Sequence, residues 1–122
     1  MLNCLAVGIG GFVGSIARYL VSRIEFLKSG SYPLNTLIVN VIGAVLIGLV
    51  IVYAEKNGMS EEKLLFLKMG LCGGLTTFST FSAETLGYIE SGNILMGISY
   101  VLVSVVLCVL GVYLGMKLGT LC

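Results

Sequence analysis

Long apolar runs separated by short polar stretches are the main pattern of this chain. Two runs, Ser29 to Ala54 and Ser91 to Met116, carry no charged residue, and each exceeds the roughly 20 residues that a helix needs to cross a bilayer. A third run begins at Met1, and a fourth, Leu64 to Ile89, includes one lysine and one glutamate. The pattern predicts an all-α membrane protein, a single integral membrane domain over 1–122 with four transmembrane helices at roughly 2–24, 33–54, 64–89 and 93–117.

Composition supports a lipid environment and excludes several classes of function. Of the 122 residues 57% are hydrophobic and 11% charged, whereas soluble domains carry about 25% charged residues. The net charge of +1 provides no basic surface for a nucleic-acid partner. Histidine is absent and the four cysteines form no C-x-x-C pair, which argues against a zinc site and a Ser–His or Cys–His nucleophile. We therefore expect a protein that is not an enzyme.

The charges in the loops give no clear orientation in the membrane. Lysine and arginine are normally enriched on the cytoplasmic side. Here the side of the predicted N-terminus holds four, and the opposite side holds three. This count is equally compatible with two interpretations. Either the weak bias still suffices to set one orientation, or the chain inserts in both orientations and inverted copies then assemble. The residues are Lys56, Lys63, Lys68 and Lys117 on the first side, and Arg18, Arg23 and Lys28 on the second.

The third predicted span contains a stretch that is a poor helix interior, GGLTTFSTFSAE at Gly73 to Glu84. A glycine pair followed by β-branched Thr76 and Thr77 disfavours a helix. We predict two half-helices, Leu64 to Cys72 and Phe78 to Tyr88, joined by an unwound segment near mid-membrane. Carbonyl groups freed at such a break suit a small cation, although a kink satisfied by Ser and Thr hydroxyls is the alternative.

Polar and aromatic residues after the break fall on adjacent helical faces. Thr76, Thr80 and Glu84 are spaced by four residues, so they form one stripe. Phe78 and Phe81 lie on a neighbouring face. Such residues usually pack in a core, but phenyl edges carry partial positive charge and hydroxyl groups donate hydrogen bonds. A lane of these groups would bind a small anion weakly at several points, as conduction requires.

Three motifs together resemble the Fluc or CrcB family of fluoride channels. They are GGFVGSIARY at Gly10 to Tyr19, NTLIVNVIGA at Asn35 to Ala44, and the stretch from Gly73 to Glu84. They occur in the family's order, and the resemblance extends over the whole chain. It implies passive export of fluoride through a multi-pass protein of the bacterial inner membrane.

The resemblance also implies an architecture and a set of site residues. The family forms an antiparallel, dual-topology homodimer with two fluoride pores along the subunit interface and a structural sodium ion, not transported, at the dimer centre. Backbone carbonyls of Gly73 and Thr76 would hold that sodium. The pore residues carried over by motif position are Asn40, Phe78 and Phe81, with Ser79, Thr80 and Glu84 as a polar track and Arg18 as an electropositive vestibule; Tyr100 and Ser104 match less clearly.

Two other classes of membrane protein also fit parts of the pattern. Small drug/proton antiporters form antiparallel dimers of four-helix subunits, but they need a carboxylate in the first span, and none lies between Met1 and Arg18. A small subunit that packs against a larger transporter would explain the many glycines. It would leave the cluster of Thr, Ser and Phe after Gly74 unexplained.

Overall fold

The computed structural model describes residues 1–27 and 32–121, and every regular element within them is helical. Lys28, counted above among the loop charges, and Cys122 lie outside the described residues. The elements, in chain order, are α1 (Leu2–Ser22), a 3-10 turn (Glu25–Leu27), α2 (Leu34–Asn57), α3 (Glu61–Leu65), the π-helix π1 (Phe66–Cys72), α4 (Gly73–Leu75), α5 (Phe78–Glu90) and α6 (Ile94–Leu121).

Four helical segments are long and apolar enough to cross a membrane, as the sequence predicted. They are Leu2–Ser22, Leu34–Asn57, Glu61–Glu90 and Ile94–Leu121, and the third comprises α3, π1, α4 and α5. The connection after α2 is short because Gly58 ends that helix in the left-handed conformation, with φ of 63°, which glycine adopts without strain. The chain is therefore a multi-pass membrane protein whose successive spans alternate in direction.

The most extensive helix contact joins α2 and α6, and glycines bring the two backbones together. A Cβ at Gly115 would lie 3.0 Å from the nitrogen of Leu49, and a Cβ at Gly48 would lie 3.0 Å from the nitrogen of Met116. In lipid, where burial of apolar surface gives little drive for association, such close packing is a principal source of stability. Small residues of both helices, Gly48 and Gly115 among them, thus form one interface.

Helix α1 packs against π1 and α4 in the same manner. A Cβ at Gly70 would lie 2.8 Å from both the Cα of Gly10 and the carbonyl oxygen of Val7. A Cβ at Gly14 would lie 2.8 Å from the nitrogen of Leu75. Gly10 and Gly14 are the buried residues of α1, because the backbone of the third span approaches them closely.

The break in the third span differs from the prediction in position and length. The Gly73–Gly74 pair is helical, with Gly73 at φ −64° and ψ −38°. Gly74 packs on α1, where a Cβ would lie 2.6 Å from the carbonyl oxygen of Gly11, whereas a Cβ at Gly73 would meet no heavy atom within 4 Å. Only Thr76 and Thr77 leave the helix, with ψ of 158° and 112°. The expected first half-helix from Leu64 to Cys72 is also mostly a π-helix. The two half-helices are therefore present, with an unwound segment of two threonines between them.

Candidate functional site

The two extended threonines are tied to their surroundings by different groups. Thr76 donates twice to the carbonyl of Cys72, from its amide at 3.0 Å and from its hydroxyl at 2.9 Å, so it closes the first half-helix. Thr77 caps the second half-helix, since its hydroxyl accepts from the amide of Thr80 at 3.2 Å. Side-chain oxygen at this capping position satisfies an otherwise free helix-terminal N–H.

Asn40 of α2 stabilises the break through two hydrogen bonds to the backbone of Thr77. Its Oδ1 accepts from the amide of Thr77 at 2.7 Å, and its Nδ2 donates to the carbonyl of the same residue at 3.2 Å. In a continuous α-helix the amide of Thr77 would donate to the carbonyl of Gly73. The side chain of Asn40 thus replaces that helix bond and releases the Gly73 carbonyl from it.

A cluster of hydroxyl groups surrounds the start of α5. The hydroxyl of Thr77 donates to Thr80 Oγ1 at 3.0 Å and lies 3.3 Å from Ser79 Oγ. Thr77 itself is 7% exposed, whereas Ser79 and Thr80 are exposed on the surface of the single chain. The predicted polar track therefore begins as a hydrogen-bonded group with two outward-facing members.

Glu84 is held by donors from two other spans. Thr36 of α2 donates to Oε1 at 2.7 Å, and Tyr100 of α6 donates to Oε2 at 2.7 Å. Thr36 is 4% exposed and Tyr100 is fully buried. Each carboxylate oxygen thus accepts a short hydrogen bond, which compensates for placing a charged group in a span.

The aromatic rings form a contiguous row next to this carboxylate. The ring centroids of Phe78 and Phe81 are 5.6 Å apart, and those of Phe81 and Tyr100 are 5.1 Å apart. Tyr32 and Tyr88 pack on the other side of Tyr100, at 5.4 and 6.3 Å. Phe81 and Tyr100 are buried in this row, whereas Phe78 projects from it.

A long groove of about 380 Å³ runs past the break, between the third span and α6, with α2 at its base. It contains the predicted residues Asn40, Phe78, Phe81 and Ser104, and Ser104 Oγ is buried with no hydrogen-bond partner among the described residues. The predicted sodium ligands also lie here. The complete lining is Asn40, Gly43, Ala44, Ile47, Lys68, Cys72, Gly73, Thr76, Thr77, Phe78, Phe81, Ser104, Val105, Cys108 and Val112.

A second groove, the Arg18 groove, lies on the opposite side of the break and has a volume of about 320 Å³. Arg18 and Thr80 line it, and Thr77 and Thr36 connect it with the break and with Glu84. Hydroxyl and amide groups supply most of its remaining polar surface. The complete lining is Ser15, Arg18, Tyr19, Ser22, Asn35, Thr36, Val39, Thr77 and Thr80.

The structure thus brings most of the predicted site residues around one break, on two connected grooves. Three contributors were absent from the predicted set. Thr36 lies four residues before Asn40, a spacing that puts both on one face of α2. The central position of Thr77 and the groove position of Lys68 depend on contacts between helices, and the residue spacing alone does not reveal those contacts.

Comparison with known proteins places the chain in a family. The family described as CrcB-like protein, Camphor Resistance (CrcB), matches residues 5–116. This protein belongs to the CrcB family. The family predicted from the three sequence motifs is therefore confirmed.

Several CrcB relatives carry the name fluoride-specific ion channel FluC. One from Clostridium novyi is 43% identical over 121 residues, covering 98% of this chain and 94% of its own. One from Shewanella pealeana is 40% identical over 119 residues, covering 97% and 96%. One from Methylobacterium radiotolerans is 44% identical over 116 residues, covering 93% and 81%. These relatives do not favour the antiporter alternative, since all three are named as ion channels.

Proposed function

We propose that this CrcB protein is a fluoride-selective channel that lets fluoride leave the bacterial cell passively across the inner membrane. The observation that carries the proposal is that Phe78 and Phe81 lie next to the hydroxyl cluster around Thr77, and that these groups border both grooves at the break. The names of the relatives supply the identity of the ion. Export follows from passive conduction whenever the cytoplasmic concentration exceeds the external one.

The chemistry of this row suits a small, strongly hydrated anion. Hydroxyl groups of Ser79, Thr80 and Ser104 can donate hydrogen bonds in place of water. The edges of the Phe78 and Phe81 rings add partial positive charge. Among the described residues, the groups that hydrogen-bond to Thr76 and Thr77 are uncharged, so the ion would bind weakly at successive positions and would be able to leave.

The proposed functional unit is an antiparallel homodimer. The long groove is open along one side of the single chain, and Phe78 projects there with 79% of its surface exposed. Such an opening would place a pore residue against lipid unless a second copy covered it. The near-equal loop charges, four against three, allow both orientations to coexist in one membrane.

A structural sodium ion at the centre of that dimer is part of the proposal. The described residues contain no group of three His, Cys, Asp or Glu side chains that could hold a metal, so backbone oxygen is the available donor type. The amide of Thr77, which would donate to the Gly73 carbonyl in a continuous helix, donates instead to Asn40. Thr76 follows at the start of the unwound segment. Two copies would supply four carbonyl oxygens, which are hard ligands of the kind that hard cations such as Ca²⁺ and Mg²⁺ take.

Fluoride efflux from liposomes tests the proposal directly. Purified protein should release fluoride at a rate far above that of protein-free liposomes, and should release chloride no faster than the protein-free control. Equal release of both anions would overturn selectivity. Proton-coupled uptake of an organic cation without fluoride release would overturn the channel assignment and support the antiporter.

A further inference from the structure

Lys68 is the one charged residue among those that line the long groove. Along the third span the lining runs from Lys68 through Cys72, Gly73 and the break to Phe81. Thr77 lies nine positions after Lys68, roughly 13 Å at the α-helical rise. The groove therefore has a cationic end and an aromatic end, with the break between them.

The π-helix is what aligns Lys68 with the break. Hydrogen bonds in a π-helix join residue i to i+5, so residues four and five positions apart share one face. Lys68, Cys72 and Gly73 have this spacing and all line the long groove. On the opposite face Phe66, Gly70 and Leu71 have the same spacing and meet Gly10 of α1. The π-helix therefore presents one face to α1 and carries Lys68 on the face toward the groove.

The ammonium group of Lys68 is exposed and makes no ion pair or hydrogen bond with the residues in 1–27 and 32–121. A charge in a span that is not neutralised locally faces an interior path or extends to the membrane surface. Lys68 lies seven residues after Glu61, roughly 10 Å into the third span. Its position is therefore near one mouth of the groove.

The direction of the spans puts Lys68 and Arg18 at opposite sides of the membrane. Arg18 lies near the end of α1, whereas Lys68 lies near the start of the third span, which runs parallel to α1. In an inverted copy these sides are exchanged. The Arg18 end of one subunit therefore shares a membrane face with Lys68 of the partner subunit.

We propose that each mouth of the anion pathway is built by two subunits, with Arg18 from one and Lys68 of the partner subunit. The inference rests on the proposed function and on its inverted dimer. Together the two cations raise the local fluoride concentration at each mouth. Neither lies in the row after the break, where a fixed positive charge would retain the ion.

Single-channel current in planar bilayers tests this role, with fluoride as the permeant ion. The field of an exposed charge extends about 30 Å at 0.01 M salt and about 3 Å at 1 M. We expect Lys68→Gln to lower the current about two- to threefold at ~0.01 M fluoride and to match the wild type at ~1 M. Lys63→Gln is the matched control, because this exposed lysine is outside both grooves and should leave the current unchanged.

A second variant separates charge from folding. Lys68→Cys labelled with a cationic thiosulfonate should regain current, and the same variant labelled with an anionic thiosulfonate should lose more current. The wild type treated with the same reagents controls for labelling of its native cysteines. Currents equal to wild type in Lys68→Gln at low salt, or a loss independent of salt, would overturn the role of Lys68. Absence of fluoride current in the wild type would overturn the proposed function, and this role with it.

Discussion

Phe78 and Phe81 occupy different environments despite their similar sequence contexts. Phe78 is 79% exposed and Phe81 is 8% exposed in the single chain. Phe81 packs on Tyr100, which in turn donates to Glu84. A change at Phe81 therefore disturbs the polar track and the core, whereas a change at Phe78 affects mainly the open groove.

Phe78→Ile should lower fluoride flux about tenfold, equivalent to ~1.4 kcal/mol in the barrier, with no loss of thermal stability. Isoleucine keeps the apolar surface but removes the positive ring edge. Phe81→Ile should lower both flux and melting temperature. Flux in liposomes and thermal unfolding in detergent measure the two effects. Wild-type flux in Phe78→Ile would remove this residue from the pathway.

Asn40→Asp should abolish conduction and weaken the break. An aspartate can still accept from the amide of Thr77, but it cannot donate to the Thr77 carbonyl, and its negative charge repels an anion. Loss of the donor should cost about 1–3 kcal/mol of stability. Flux and thermal unfolding together are the measurement, with Asn57→Asp as a control, since this exposed residue at the end of the same helix lies outside both grooves. An active Asn40→Asp protein would show that this side chain only packs.

At the scale of elements, the glycines of α1 and π1 differ in whether they take part in the contact between these two helices. A Cβ at Gly70 would lie 2.8 Å from backbone atoms of α1 at Gly10 and Val7. A Cβ at Gly8 would have no heavy atom within 4 Å. The glycine-rich sequence of α1 therefore contains both packing positions and positions without a steric requirement.

Gly70→Ala should destabilise the protein by about 1–3 kcal/mol or more, because backbone must move to admit the methyl group. Gly8→Ala should be neutral or slightly stabilising, since alanine favours helix over glycine. Thermal unfolding of the two variants in the same detergent compares them. Equal melting temperatures would contradict the packing seen between α1 and π1.

At the scale of the whole molecule, the near balance of loop charges predicts that orientation can be shifted by few substitutions. Glu55→Lys with Ser60→Lys raises the lysine and arginine count on the N-terminal side from four to six, against three. This variant should insert in one orientation and lose fluoride flux, because inverted pairs no longer form.

Co-expression with an oppositely biased chain should restore that flux. Glu25→Lys with Glu90→Lys raises the other side from three to five, against four, and this chain alone should also be inactive. Glu55→Gln with Ser60→Gln is the control that keeps the lysine count and should remain active. Full activity of either biased chain expressed alone would argue against an inverted dimer.

The sequence by itself determined the four spans and the family. Uncharged runs of more than about 20 residues predict transmembrane helices. The three motifs between Gly10 and Glu84 carry the family signature. The polar stripe at Thr80 and Glu84 was likewise readable, because helical spacing fixes which residues share a face.

Tertiary structure decided where the third span breaks and what holds the break open. Gly73 and Gly74 remain helical, with Gly74 packed against Gly11 of α1. The break lies instead at Thr76 and Thr77, where the side chain of Asn40 replaces a helix hydrogen bond. The π-helix packs against α1 on the face that carries Gly70, and Lys68 on its other face lines the long groove. These features depend on contacts between residues distant in sequence, and local propensity does not encode them.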